Sequence, residues 1–305
     1  MNSVDVTSIR ETPPVSGVAL SKWLVAINPA LLVMGLLQGA YALALAQGIA
    51  PLDSVRVALS LAFFVAEAAA VRLINDYDDF KRGIDTKESV RPNSALALGL
   101  DMGKVRLVGL IALGAMVSDC IYLTVTVHPW LLPLLPIPFL AFILYSGGPR
   151  PLGHLALGEL LDFWINGFGV VFAVVWANAG RVSVASTTAC LGVGSLFATL
   201  MLHNNIRDVE KDKALSKRTI PQVIGKRNSR IAYTLLLSFS YVFVSIVALM
   251  DGRLVLLLPL ATLPWSAILV WRVWHSELGE SLFEWRDVYN LMIAYFALGA
   301  ISWTI

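Results

Sequence analysis

Apolar runs of about twenty residues recur along this chain from one end to the other, and no other feature limits its fold so tightly. Each is long enough to cross a hydrocarbon core of roughly 30 Å as an α-helix. Nine can be read: residues 23–47, 55–74, 103–124, 129–147, 158–178, 183–203, 230–250, 253–273 and 287–305. Lipid offers backbone amides no partner, so runs of this length must satisfy themselves as helices. The chain is 57% hydrophobic and 14% charged, against roughly 25% charged in an average soluble domain. The expectation is an all-α polytopic membrane protein, with nine transmembrane helices forming one domain over 23–305. Residues 1–22 carry Arg10, Pro13, Pro14 and Lys22 but no apolar core, and read as a polar cytoplasmic tail rather than a signal peptide. Cys120 and Cys190 both lie deep in apolar runs and form no metal-binding spacing.

Orientation follows from the basic residues. With nine spans, the side bearing the N-terminus holds all of the 23 Lys and Arg except Arg56, Arg181 and Arg253. That side is expected to be the cytoplasm, the membrane being the plasma membrane if the source is bacterial. The net charge of +2 is an average over this asymmetry and gives no reason to expect a nucleic-acid partner.

Two stretches carry charge that their neighbours lack. One runs from Asn75 through Asp76, Asp78, Asp79, Lys81 and Arg82 to Asp85; the other from Asn204 through Arg207, Asp208, Glu210 and Lys211 to Asp212. Each begins where a long apolar run ends, and both fall on the cytoplasmic side. Residues four apart share a helix face, so Asn75 with Asp79, and Asn204 with Asp208 and Asp212, form two oxygen-bearing stripes. Asp78 and Glu210 lie off those stripes. Carboxylates clustered at a membrane boundary call for a cation, and an all-oxygen set suits Mg2+, which keeps waters and substrate phosphates among its ligands. Lys81, Arg82, Lys211, Lys217 and Arg218 in the same segments suit a phosphate-bearing substrate. The two stretches stand at corresponding ends of two even-numbered spans, a faint repeat that suggests two halves facing each other across a central cavity. The sequence thus reads as a membrane enzyme acting on a diphosphate.

At these motifs the chain resembles the UbiA superfamily of intramembrane prenyltransferases. Asn75-Asp76-x-x-Asp79 followed by Gly83-x-Asp85 is similar to its 1,4-dihydroxy-2-naphthoate polyprenyltransferase branch, which serves menaquinone biosynthesis. So are Asn204-Asn205-Ile206-Arg207-Asp208 through Asp212 to Lys217-Arg218-Thr219, and Tyr145-Ser146-Gly147-Gly148-Pro149-Arg150-Pro151-Leu152-Gly153 with Gly158-Glu159. The sequence departs from the branch at Asp162-Phe163-Trp164-Ile165-Asn166-Gly167, and at Asn28-Pro29, where the branch has Arg-Pro.

The resemblance implies nine helices and two Mg2+ ions held by Asn75, Asp79, Asp85, Asp208 and Asp212, with Asp76 and Asn204 close by. Asp79, Asp208, Asp212 and Arg150 would serve catalysis. Lys81, Arg82, Tyr145, Arg207, Lys211, Lys217 and Arg218 would bind a polyprenyl diphosphate. Asp162, Trp164 and Asn166 would border an aromatic or hydrophobic acceptor, with Phe163, Phe168 and Phe172 offering faces to an allylic cation. Any one aromatic in a membrane helix more often simply packs. Two other readings compete. A terpene cyclase or a prenyltransferase with another aromatic acceptor would keep the same metal site. A transporter would place its acidic residues nearer the bilayer midplane than these motifs lie.

Overall fold

The computed structural model describes residues 19–83, 92–134, 152–214, 217–276 and 285–305. Among these the chain is helical, apart from turns and one isolated bridge between Leu155 and Arg218. The helices are α1 (Ala19–Ile27), α2 (Pro29–Gln47), α3 (Ser54–Lys81), α4 (Met102–Val127), α5 (Gly158–Ala179), α6 (Val184–Arg207), α7 (Val209–Ala214), α8 (Ile220–Asp251), α9 (Leu254–His275) and α10 (Trp285–Thr304). Seven of them, α2 to α6 with α8 and α9, are long and apolar enough to cross a membrane. Helix α10 matches the ninth expected run but opens on Arg286 and Asp287. Most of the fourth run, from residue 135, lies outside the described residues.

Several starts follow from local chemistry. Asp53 accepts a hydrogen bond from Arg56 N at 3.0 Å, Asp101 one from Lys104 N at 2.8 Å, and Ser183 and Ser186 close a reciprocal capping box. The expected first span, 23–47, is broken rather than continuous. Pro29 bars its predecessor from helical geometry, and Asn28 takes φ 71°, its side chain accepting from Ala30 N. The expected span 230–250 begins earlier, at Ile220, and bends at Gly225, whose φ of 76° favours glycine. The span expected at 253–273 opens as a 3-10 stretch, Leu254–Thr262, around Pro259.

Helix α6 is central: 67% of its apolar window is buried, and it packs chiefly against α8 and α5. Helix α4, only 17% buried, packs on α3 and turns Leu107, Ile111 and Tyr122 outward, as a lipid-facing helix should. The main core joins Tyr41, Phe64, Val171, Leu196, Phe197, Tyr233, Leu237, Tyr241, Tyr295 and Phe296. A smaller cluster, around Ala26, Leu73, Ala95, Met102 and Val105, locks α1 and the 92–100 turn against α3 and α4. Some buried polar groups within the spans find partners across the bundle, which offsets the cost of leaving water. Asn178 Nδ2 donates to Ser60 Oγ at 2.8 Å, and the Tyr241 hydroxyl meets Thr262 Oγ1 at 2.7 Å and Ser266 Oγ.

Candidate active site

The two charged stretches occupy the last turns of α3 and of α6 with α7, where apolar helices end. On α3, Asn75 and Asp79 are half-buried one above the other, and Lys81 and Arg82 are exposed at the helix end. Asp76 turns elsewhere. It is 2% exposed, 3.4 Å from Arg72 Nη1, and accepts from Ala95 N at 2.8 Å. Arg72 Nε in turn donates to Ala26 O at 3.2 Å, so the pair ties α1, α3 and the 92–100 turn together. The expected metal role of Asp76 therefore meets a carboxylate already committed to a buried ion pair and an amide.

On the second stretch, Asp208 caps α6 and receives a two-pronged contact from Arg207, Nε to Oδ1 at 2.8 Å and Nη2 to Oδ2 at 2.7 Å. Asp212 is buried on α7, with Lys217 Nζ at 3.3 and 3.2 Å from its two oxygens. The oxygen Oδ1 of Asn204 is buried with no hydrogen-bond partner among the described residues. Lys211 is exposed, as is Arg218.

A clasp brings the segments into register. Arg218 N donates to His154 O at 3.3 Å, and Ala156 N donates to Arg218 O at 2.9 Å. Burial holds the His154 imidazole below the ordinary histidine value, and Lys217 and Arg82 push it further down while Asp212 pulls the other way. Arg82 from the first stretch and Lys217 and Asp212 from the second thus act on one imidazole, which puts both at the same end of the bundle. Burial alone would raise Asp208, but the hydrogen bond and charge of Arg207, helped by Lys211 and Lys217, hold it below the usual carboxylate range. Asp212 goes the other way: burial, with Asp208 adding to it, outweighs Lys217 and lifts it.

The donors fit Mg2+. All are oxygens, and the orphaned Asn204 oxygen needs a partner of positive charge or a proton. Among the described residues no three His, Cys, Asp or Glu side chains form a closed cage. A soft or structural metal would require such a cage; Mg2+, which leans on one or two carboxylates and on phosphate oxygens, does not. Asp85, Tyr145 and Arg150 lie outside the described residues.

Helix α5 departs from regular geometry where the sequence departs from the branch that it resembles. Asp162–Gly169 is π-helical, a rare form that is frequent at functional sites. Asp162 is buried and accepts from Asn166 Nδ2, and Asn166 O accepts from Gln38 Nε2 of α2 at 2.7 Å. Trp164 is 50% exposed on the outer face, packed against Phe163 and Phe168, so it stands apart from Asp162 and Asn166. Sequence reasoning missed Glu67 and Gln38. An acidic residue amid Phe63-Phe64-Val65-Ala66 and three alanines is the kind of intramembrane charge that marks function, and the apolar count of the span concealed it.

The chain has well-matched relatives. A family model described as the UbiA prenyltransferase family matches residues 18–296. The 1,4-dihydroxy-2-naphthoate octaprenyltransferase of Bacillus subtilis (strain 168) is 29% identical over 182 residues, 59% of this chain and 58% of that one. The enzyme of the same name from Mycobacterium tuberculosis is 30% identical over 214 residues, 69% of this chain and 68% of that one. The match thus spans 58% of the Bacillus relative's length. Among solved structures, a UbiA homolog from Archaeoglobus fulgidus bound to GPP and Mg2+ superposes with a TM-score of 0.62 over 93% of this chain and 100% of that one. At 19% identity that likeness is one of fold. With its helical bundle, its paired charged stretches and a family match over nearly its whole length, the chain belongs to the UbiA prenyltransferase family.

Proposed function

We propose that this protein transfers an isoprenoid chain from a polyprenyl diphosphate to an aromatic acceptor, 1,4-dihydroxy-2-naphthoate, at the cytoplasmic face of the membrane. One observation carries the reading. Arg82 of the first charged stretch and Lys217 and Asp212 of the second act on the same imidazole, so the two stretches together make one oxygen-rich and cation-rich end of the bundle. The names of the Bacillus and Mycobacterium relatives supply the acceptor.

Asn75, Asp79, Asn204, Asp208 and Asp212, with Asp85, would hold Mg2+, and Asp76 would buttress α3 behind them. Bound Mg2+ would neutralise the departing pyrophosphate. Lys81, Arg82, Lys211, Lys217 and Arg218, with Tyr145 and Arg150, would bind the diphosphate and steady it as its bond to the allylic carbon stretches. Arg207 rests on Asp208 in a partly exposed pair, worth about 0–1 kcal/mol, which can exchange for phosphate, while Lys217 rests on the buried Asp212. Asp162 and Asn166 would orient the acceptor so that its ring carbon meets the allylic carbon at about 3–3.5 Å.

The test is to incubate purified protein with Mg2+, geranylgeranyl diphosphate and a panel of aromatic acceptors and identify products by mass spectrometry. The expected product is a prenylated naphthoquinol formed with release of CO2 and pyrophosphate, lost on adding EDTA and in Asp208→Ala. Full activity in EDTA or in Asp208→Ala would sink the metal assignment. A cyclised hydrocarbon formed with no acceptor present would show a terpene cyclase instead.

A further inference from the structure

Below the cytoplasmic motifs lies a run of carboxyl groups for which diphosphate chemistry has no use. Glu67 stands on α3 eight residues before Asn75, about 12 Å deeper along the helix. It lies within electrostatic reach of Asp162 on α5. Asp162 lies within reach of Glu159, one turn nearer the cytoplasm on the same helix. Glu159 is 4% exposed, and the charges of Lys217 and Asp212 reach it in turn. The series leads from the middle of the bilayer to the second charged stretch.

Glu159 and Asp162 are held in place by amides. Asn205 Nδ2 donates to Glu159 Oε1 at 2.9 Å, while Glu159 Oε2 is buried with no hydrogen-bond partner among the described residues. Asn166 fixes Asp162, and Gln38 fixes Asn166. Asp119 and Cys120 of α4 lie at the deep end, where both Asp119 and Glu67 act on the cysteine. No cation acts on Glu67 or Asp162 among the described residues; each feels another carboxyl. Unpaired carboxylates side by side in an apolar bundle are costly unless they share a proton. Packing would have been served by leucine; a carboxyl kept at this expense implies proton chemistry.

We infer that Glu67, Asp162 and Glu159 form a carboxyl relay that takes the hydroxyl proton of the aromatic acceptor as the new carbon–carbon bond forms. The inference rests on the transferase reading above. As a ring carbon bonds to the allylic carbon, the acceptor O–H bond breaks, its electron pair becomes part of a ring carbonyl, and the proton passes to a carboxylate oxygen of Asp162 or Glu67. When the acceptor's carboxylate leaves as CO2, the freed pair restores the aromatic ring and the carbonyl oxygen takes a proton back. An acceptor lacking a carboxyl loses its ring proton instead, which leaves towards the cytoplasm through Glu159.

Glu67→Gln and Asp162→Asn keep size and polarity but cannot accept a proton. With the purified full chain, Mg2+, geranylgeranyl diphosphate and 1,4-dihydroxy-2-naphthoate, each should lower product kcat about 100-fold or more. Donor KM should stay as in the wild type, and pyrophosphate release should exceed product formation. Glu67→Asp should recover part of the turnover that Glu67→Ala loses, which a packing role would not give. Infrared spectra of the wild type at neutral pH should show a protonated carboxyl stretch that Glu67→Gln and Asp162→Asn each diminish. Near-wild-type kcat in both variants, or spectra without that band, would overturn the relay. A wild type that shows the band yet prenylates no aromatic acceptor would leave the proton-sharing carboxyls standing and refute the transferase reading.

Discussion

Asp76 and Asp79 stand three residues apart in one motif, and the protein gives them different surroundings. Asp76 lies between Arg72 and the Ala95 amide, and Asp79 is half-buried on the face it shares with Asn75. Removing one partner of a buried ion pair strands the other charge and costs about 3–5 kcal/mol. Asp76→Ala should therefore lower the thermal unfolding midpoint in detergent by several degrees, whereas the expected effect of Asp79→Ala is loss of turnover. An unchanged midpoint in Asp76→Ala would show that the Arg72–Asp76 pair does not hold the fold. The oxygen stripes were legible in the sequence because four-residue spacing fixes a helix face. The Arg72–Asp76 pairing has that same spacing and could have been read. Its other partners, Ala95 N and Ala26 O, lie 19 and 46 residues away, and only folding brings them close.

Helices α5 and α6 meet where neither can carry a side chain. A Cβ on Gly167 would stand 2.4 Å from Gly194 Cα and 3.0 Å from Val193 O, so the two backbones touch. Small residues at such crossings let membrane helices approach and gain dispersion contact. In an isolated helix Gly→Ala would gain about 1 kcal/mol of propensity. Here the clash is with backbone that cannot swing aside, and overpacking of this kind costs about 1–3 kcal/mol. Gly167→Ala should thus lower the unfolding midpoint. It should also slow turnover, because Asp162 and Asn166 lie on the π-helical turn next to the contact. A variant as stable and active as the wild type would mean that α5 can shift freely. Gly192, Gly194 and Ser195 stand close together in the sequence as small residues suited to a helix contact, but nothing in the sequence names the partner. It located the spans through their length, yet not the π-helical turn or the bend at Gly225, which depend on how neighbours pack. The break at Asn28 was within reach, since a proline constrains the residue before it.

At the scale of the whole molecule, charge and exposed apolar surface make one statement. Outward-facing Leu107, Ile111, Tyr122, Val242, Leu249 and Trp271 would be a liability in water and are the natural coat of a membrane protein. Perpendicular to that belt, the basic residues divide unevenly: Lys81, Arg82, Lys211 and Lys213 stand at one end of their helices, while Arg56 and Arg253 stand at the opposite ends of α3 and α9. The anionic cytoplasmic leaflet and the insertion machinery favour Lys and Arg inside, so α3 should enter from outside and α6 should return its C-terminus to the cytosol. A single misjudged crossing between Asp79 and Asp208 would set the two motifs on opposite faces. Single cysteines test this in a background carrying Cys120→Ala and Cys190→Ala. Lys81→Cys and Lys213→Cys, both at exposed positions, should react with a membrane-impermeant thiol reagent only after the membrane is opened. Ser54→Cys and Asp251→Cys, at the far ends of α3 and α8, should react in intact cells. Labelling of Lys81→Cys and Lys213→Cys from opposite sides would break the topology, and with it any active site shared between the two motifs.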